Sequence, residues 1–469
     1  MSFMIALAAL VFLMFVAYRG FSVILFAPIA AMAAVLLTDP SAVPAAFTGL
    51  FMDKMVGFAR LYFPVFLLGA VFGKVIELSG FSKSIVKSVI SVVGQQRAML
   101  AIVLVCAVLT YGGVSLFVVV FAAYPFAAEM FRVGNIPKRL IPGTIALGAF
   151  SFTMDSLPFS PQIQNIIPTT YFKTTNGAAP ILGTLGAIFI LVLGMTYLEW
   201  RRRQAAAAGE GYGTGHTNEP PPVDTAHLAP AFIAFLPLIV VFVVNLVLGG
   251  FSGVFTGVIE RVYGANYDLT LALDHAIPTP IPGIVAVWAV EGALLAGVIT
   301  VFAFAWPQLR NTFAEGSKLA VGGALLAAMN TASEYGFGGV ISALPGFLVI
   351  KDALKSIPNP LVNEAITVTS LAGITGSASG GMSIALAAMA KDFLALADAA
   401  HIPHEVLHRV ASMASGGMDT LPHNGAVITL LAVTGLTHKQ SYKDIFAVTC
   451  LKTLAVFFVI VVYYLTGLV

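Results

Sequence analysis

The chain has 469 residues, 58% of them hydrophobic and only 10% charged, with a mean hydropathy of +0.94 and a formal charge of +2. A soluble domain carries about 25% charged residues, so this composition excludes one and indicates a polytopic membrane protein with room for roughly ten to twelve spans. The small net charge gives no reason to expect nucleic acid. The two cysteines, Cys106 and Cys450, lie in apolar runs and read as packing residues, not as a disulfide framework.

Residues 2–18 and 20–38 form two apolar runs split by Arg19 alone, which predicts a tight helical hairpin. The first run lacks a basic leading segment and reads as a retained span, not a cleaved signal. After a more polar stretch at 39–60, a third span is expected from Leu61 to about Glu77. Lys83, Lys87 and Arg97 then suggest a cytoplasmic loop, and an N-terminus outside, by the positive-inside rule.

From Ala98 to Glu129 the chain is apolar, but Tyr111-Gly112-Gly113-Val114-Ser115 interrupts it. Paired glycines allow a helix to unwind and offer backbone groups to a cavity; close helix packing at small residues is the other reading. Residues 140–155 and 156–172 are each short for a crossing. They predict a re-entrant hairpin with Asp155-Ser156-Leu157-Pro158 at its tip, or else a kinked crossing. The span 178–198 ends at Arg201-Arg202-Arg203, a cytoplasmic signature. Residues 204–225, which include Pro220-Pro221-Pro222, read as a flexible linker.

The second half repeats the first. Phe72 is answered by Phe337, Gly80-Phe81 by Gly346-Phe347, Ile136-Pro137 by Ile402-Pro403, and Met154-Asp155-Ser156-Leu157-Pro158 by Met418-Asp419-Thr420-Leu421-Pro422, offsets of 264 to 266 (419 − 155 and 346 − 80). With Lys439, Lys443 and Lys452 placed before a last span at 453–469, the second copy runs opposite to the first, an inverted repeat. On this scheme Arg132, Lys138 and Arg139 fall outside, against the rule. The expected organisation is scaffold helices at 1–60 and 228–310, transport elements at 61–200 and 311–469, and a cytoplasmic linker at 201–227.

The chemistry is expected at the breaks. An intramembrane carboxylate is costly and a proline frees backbone groups, so Asp155 and Asp419 are candidates to bind a cation or carry a proton; a helix-capping role is compatible. Asn330, Thr331, Ser333 and Glu334 cluster before Gly336-Phe337-Gly338-Gly339, whereas the first-half counterpart lacks these polar groups, which favours a ligand contact. Gly376, Ser377, Ser379 and Gly380 correspond to the Gly112–Ser115 break. Small hydroxylated residues at a half-helix N-terminus suit a carboxylate, and no Lys or Arg is expected centrally to share that task. His423 and Asn424 follow the second Leu-Pro. Glu291 reads as an interhelical hydrogen-bonding group. His404-Glu405-Val406-Leu407-His408 matches H-E-x-x-H, so an intramembrane zinc protease is a competing reading; the first-half counterpart, Pro137 to Ile141, cannot bind zinc, and no third ligand follows. A channel is the other alternative to a carrier.

Ser333-Glu334-Tyr335-Gly336-Phe337-Gly338-Gly339-Val340-Ile341, with Met418 to Thr429, resembles the gluconate permease (GntP) family of bacterial symporters, within the wider ion transporter superfamily, over essentially the whole chain. The resemblance implies an all-helical inner-membrane secondary transporter, not an enzyme, without a cofactor, moving a small hydroxy-carboxylate by proton symport. Sodium coupling is the alternative. It further implies a homodimer in which a transport domain slides as an elevator. Tyr335, in place of the serine expected in gluconate members, makes the 3-hydroxybutyrate branch the closer one. In this reading Ser377 and Ser379 hold the carboxylate, and Asn330, His423 and Asn424 read the hydroxyl. Asp155, Asp419 and Glu334 carry the coupling proton, and Ser115, Gly376, Gly380 and Thr420 complete the substrate site.

Overall fold

The computed structural model describes residues 2–19, 21–94, 97–220, 228–251, 254–269, 277–347, 349, 357–422 and 424–469. The first half contains α1 (Ser2–Tyr18), α2 (Val23–Thr38), α3 (Met52–Leu78), α4 (Phe81–Val93), α5 (Ala98–Tyr111), α6 (Leu116–Val133), α7 (Ile141–Ala149), α8 (Ile163–Phe172) and α9 (Pro180–Ala207). The second contains α10 (Ala231–Gly249), α11 (Val285–Leu309), α12 (Phe313–Ala343), α13 (Pro360–Thr375), α14 (Ala378–Ala399), α15 (His404–Ser415), α16 (Gly425–Thr434) and α17 (His438–Thr466). Two small antiparallel strand pairs, Gly250–Phe251 with Phe255–Thr256 and Asn266–Leu269 with Ile277–Pro280, lie between α10 and α11 and carry no sequence signal of their own. Among the described residues six helices are long and apolar enough to cross a membrane, and the chain is an all-α polytopic membrane protein.

The halves are related by inversion. Corresponding helices α3 and α12 pack antiparallel, with Ser333 against Met55 at one end and Gly316 against Leu78 at the other. The pair α9 and α17 does the same. Ile181 N–H donates to the Val469 carbonyl, Phe189 stacks on Phe458, and Arg201 reaches Asp444 at 2.7 Å. A two-fold axis that reverses membrane-spanning partners must lie across those spans, which is the inverted repeat expected from sequence.

Of the two readings of the Asp155 break, the structure shows the kinked crossing, and the re-entrant hairpin lies instead at the glycine break. In the first half α5 runs parallel to α7, since Gly148 abuts Cys106 and Tyr111 Oη donates to the Pro158 carbonyl at 2.8 Å. The C-terminal end of α6 returns to the same end of the molecule, where Tyr212 N–H donates to Asn135 Oδ1 at 3.1 Å. So α5–Gly112–Ser115–α6 is the re-entrant hairpin, and the Asp155 break lies between α7 and α8 in a kinked crossing. The second half mirrors this. Tyr464 Oη donates to Asn359 at 3.2 Å and Thr174 Oγ1 shares a hydrogen bond with His408 Nδ1, which places α13, α14 and the start of α15 at the opposite end.

Other boundaries also move. Helix α3 starts at Met52, so the expected 60/61 boundary falls inside it. Helix α17 starts at His438, which makes Lys452 a mid-helix residue that is 1% exposed, not a loop cation. Residues 208–220 form an ordered strap and not a flexible linker. Glu210 pairs with Arg139 at 2.7 Å, Glu219 with the buried Lys138 at 2.7 Å, and Thr217 Oγ1 donates to the Gly435 carbonyl at 3.0 Å. Residues 221–227 of the expected linker lie outside the described residues. The strap corrects the charge assignment too. Lys138 and Arg139 share its end of the molecule with Arg201, and Ser84 Oγ donates to Ala229 there, which brings α4 and its lysines to that end. Ser2, beside Gly346, and Val469, beside Ile181, are at the other end.

Candidate functional site

Unwound backbone inside a membrane must find partners, because each bare N–H or carbonyl costs several kcal/mol. Both breaks are satisfied by side chains. In the first, Asn165 Nδ2 donates to the Ser160 and Asn176 carbonyls at 3.0 and 2.7 Å, and Ser160 Oγ to Thr153 at 2.8 Å. Ser412 Oγ and Arg409 Nη1 both donate to the Asp155 carbonyl, at 2.7 and 3.3 Å, so α15 from the second half braces the break of the first. In the second break, Thr453 Oγ1 donates to Gly417 at 2.9 Å and Tyr442 Oη to Thr420 at 3.1 Å.

The hairpin tips are shaped by glycine where a side chain would not fit. Gly113 has φ +94°, and a Cβ there would meet Leu294 and Pro161 at 3.2 Å. Gly376 is left-handed at φ +65°, after which Ser377 caps α14 by accepting the Gly380 N–H at 3.1 Å. Asn424 caps α16 through the Val427 N–H at 2.9 Å and donates its own amide to the Gly376 carbonyl at 2.7 Å, tying the second break to the second tip.

Between the tips lies a cavity of about 1070 Å³. Ser115, Asn330, Glu334, Gly376, Ser377, Ser379, Asp419, Thr420 and Asn424, all named from sequence, line it. Gly380 lies behind the surface with its Cα against the Glu334 carboxylate, and Asp155 is buried beneath, not on the wall. His423 lies outside the described residues. The cap residues of four helices, Ser115 of α6, Gln162 of α8, Ser377 of α14 and Asn424 of α16, all face the cavity. Each helix start carries the equivalent of about half a positive charge, set against the Glu77, Glu334 and Asp419 carboxylates on the wall, of which Glu77 is paired with Lys74.

Two buried cations escaped sequence reasoning, which placed none near the breaks. Lys452 Nζ lies 2.6 Å from Asp419 Oδ1 and donates to the Phe150 carbonyl at 2.8 Å. Arg409 sends Nη2 to the Ala178 carbonyl at 2.7 Å and Nη1 to Asn165 at 3.1 Å. The signal for Lys452 was present: the span His438–Thr466 is apolar enough to cross a membrane although Lys452 lies within it. Glu364 was also missed, and among the described residues neither of its fully buried carboxylate oxygens has a hydrogen-bond partner. Glu291, expected in an interhelical bond, has no hydrogen bond among the described residues.

Two readings lose their geometry. His404 pairs with Asp398 at 2.8 Å while His408 is buried against Thr174 and Asn165, so the H-E-x-x-H histidines are engaged apart, with no three-ligand group among the described residues. Tyr335 does not line the cavity. Its hydroxyl meets that of Tyr171 at 2.7 Å and its ring packs on Phe58, which removes the structural basis for using it to choose a substrate.

The chain is 57% identical to the uncharacterized transporter YxjC of Bacillus subtilis (strain 168), over 479 residues covering all of both chains. It belongs to the family of that transporter. No family model matches the chain. Among solved structures it is similar to the YdaH transporter of Alcanivorax borkumensis, with a TM-score of 0.54 over 92% of this chain and 90% of that one, at 15% identity, a likeness of fold. The chain is thus a multi-pass membrane transporter and not an enzyme.

Proposed function

We propose that this transporter is a secondary active symporter of a small hydroxy-carboxylate, as its resemblance to gluconate permeases implies, with the proton as coupling ion. The observation that carries the reading is the convergence of four helix N-termini on one chamber. An anion there gains from helix-start N–H groups and aligned dipoles. Ser377, Ser379, Ser115 and the Gly376 backbone bind the carboxylate, and Asn330, Asn424 and Thr420 read the hydroxyl. Glu334, whose Oε2 has no hydrogen-bond partner among the described residues, carries the proton together with the Asp155 and Asp419 pair. Neutralising a wall carboxylate before an anion arrives removes a like-charge repulsion.

The strap end, rich in lysine and arginine, faces the cytoplasm of a bacterial inner membrane in this reading. Helices α3 to α9 and α12 to α17 move as an elevator against α1, α2, α10 and α11, in a homodimer. The test is uptake of 3-hydroxybutyrate and gluconate by purified protein in liposomes under an imposed pH gradient. Accumulation of either that collapses with a protonophore supports the reading. Equal uptake with and without the gradient points to a facilitator or channel.

A further inference from the structure

The ammonium of Lys452 has the surroundings of a bound metal cation. Its oxygens come from both halves, Asp419 Oδ1 at 2.6 Å from the second break and the Phe150 carbonyl at 2.8 Å beside the first. Asp155 lies on the third side, outside ion-pair distance of the ammonium. Its Oδ2 is buried without a hydrogen-bond partner among the described residues, and it presses on Gly416, where a Cβ would overlap it and lie 3.6 Å from Lys452 Nζ. One carboxylate and a backbone carbonyl in contact, with a second carboxylate close by where two unwound segments meet, are oxygen donors of the kind a hard cation takes. The repeat supplies two aspartates but a single ammonium. Lys452 corresponds to Ile188 (452 − 264), which is 52% exposed on the outer surface of α9.

We propose that Lys452 is a tethered cation standing where a coupling sodium ion would sit between Asp155, Asp419 and the Phe150 carbonyl, so that the protein needs no sodium there and loss of the side chain creates a sodium site. This rests on the reading of the chamber as a coupling site and goes further, because it identifies what fills the cation position. An ion held covalently cannot be released, so it screens the two aspartates from each other throughout the cycle. Removing it leaves buried carboxylates that a small cation of matching charge can satisfy.

The experiment compares thermal unfolding of the purified full-length protein in sodium chloride and in choline chloride at equal ionic strength, with radioactive sodium binding as a second readout. Wild type is expected to show the same Tm in both salts. Lys452→Ala is expected to unfold earlier in choline, to regain Tm saturably with sodium, and to bind sodium, all lost again in Lys452→Ala/Asp419→Asn. A folded Lys452→Ala protein indifferent to sodium overturns the proposal. If that variant folds in neither salt, wild type, Asp155→Asn and Asp419→Asn decide. A sodium-specific rise in wild-type Tm that either substitution removes overturns the proposal, and its absence from all three supports it. Proton-driven hydroxy-acid uptake by wild type in the same preparation is scored separately. Its failure alone sinks the transport reading and leaves the cation result standing.

Discussion

The two breaks begin from almost the same five residues and finish as different environments. Asp155 accepts one hydrogen bond, from Ser156 at 2.8 Å, while its backbone is gripped by Arg409 and Ser412. Asp419 is locked to a lysine at 2.6 Å. The hairpin tips differ in the same sense: the first is apolar packing around Gly112 and Gly113, and the second brings Glu334, Thr331 and Ser379 together, with Thr331 and Ser379 hydroxyls at 3.1 Å. The repeat sets where helices break, and departures from the repeat set what each break can do.

The largest expected effect separates the aspartates. Asp419→Asn strands a buried ammonium and should cost about 3–5 kcal/mol, whereas Asp155→Asn keeps its Ser156 neighbour and should cost about 1 kcal/mol. Thermal unfolding measures both, and in liposomes each should abolish gradient-driven accumulation. Equal destabilisation would erase the distinction drawn here.

Next is Gly380→Ala, whose Cβ would overlap the Glu334 carboxylate; Gly322→Ala, with nothing within 4 Å, is the control. The first should weaken substrate binding by about tenfold or more, the equivalent of roughly 1.4 kcal/mol, and the second should leave it unchanged, as read by calorimetry. The caps give a smaller contrast. Ser377→Ala removes the bond to Gly380 and should cost about 1 kcal/mol with a raised KM, while Ser115, which makes no cap bond, should cost only tenths in stability.

The smallest effect lies at the strap. Hydrogen bonding to Arg139 holds the Glu210 carboxyl below its ordinary value of 4.5. A depressed folded-state value contributes stability above that ordinary value, and the contribution is lost as pH falls through the folded one. Glu210→Gln should therefore lower Tm slightly at pH 7 and not at all at the acid end, a difference visible only in a pH series of melts.

Much of this was legible beforehand. The constant offset carried the repeat, the basic residues carried its inversion, and the polar cluster at Asn330 to Glu334 carried the chamber wall, because an uncharged background makes any polar residue conspicuous. Hydropathy could not distinguish a hairpin from a kinked crossing. The segments 98–111 and 141–149 are both short and apolar, and only their packing partners separate them. Lys452 was misread, and Arg409 passed over, for a related reason. A cation is assigned to a loop when its partner is unknown, and the partners of these two lie 33 and 231 or more residues away.

Lys138 has a fully buried side chain, and both its counter-ion, Glu219, and a carbonyl it donates to, that of Thr217, belong to the strap. The connection between halves is therefore part of the first half's interior. Chimeras that exchange halves between relatives should keep 208–220 with the residue at 138, and a protease site or reporter is better placed at either terminus than between Glu210 and Glu219.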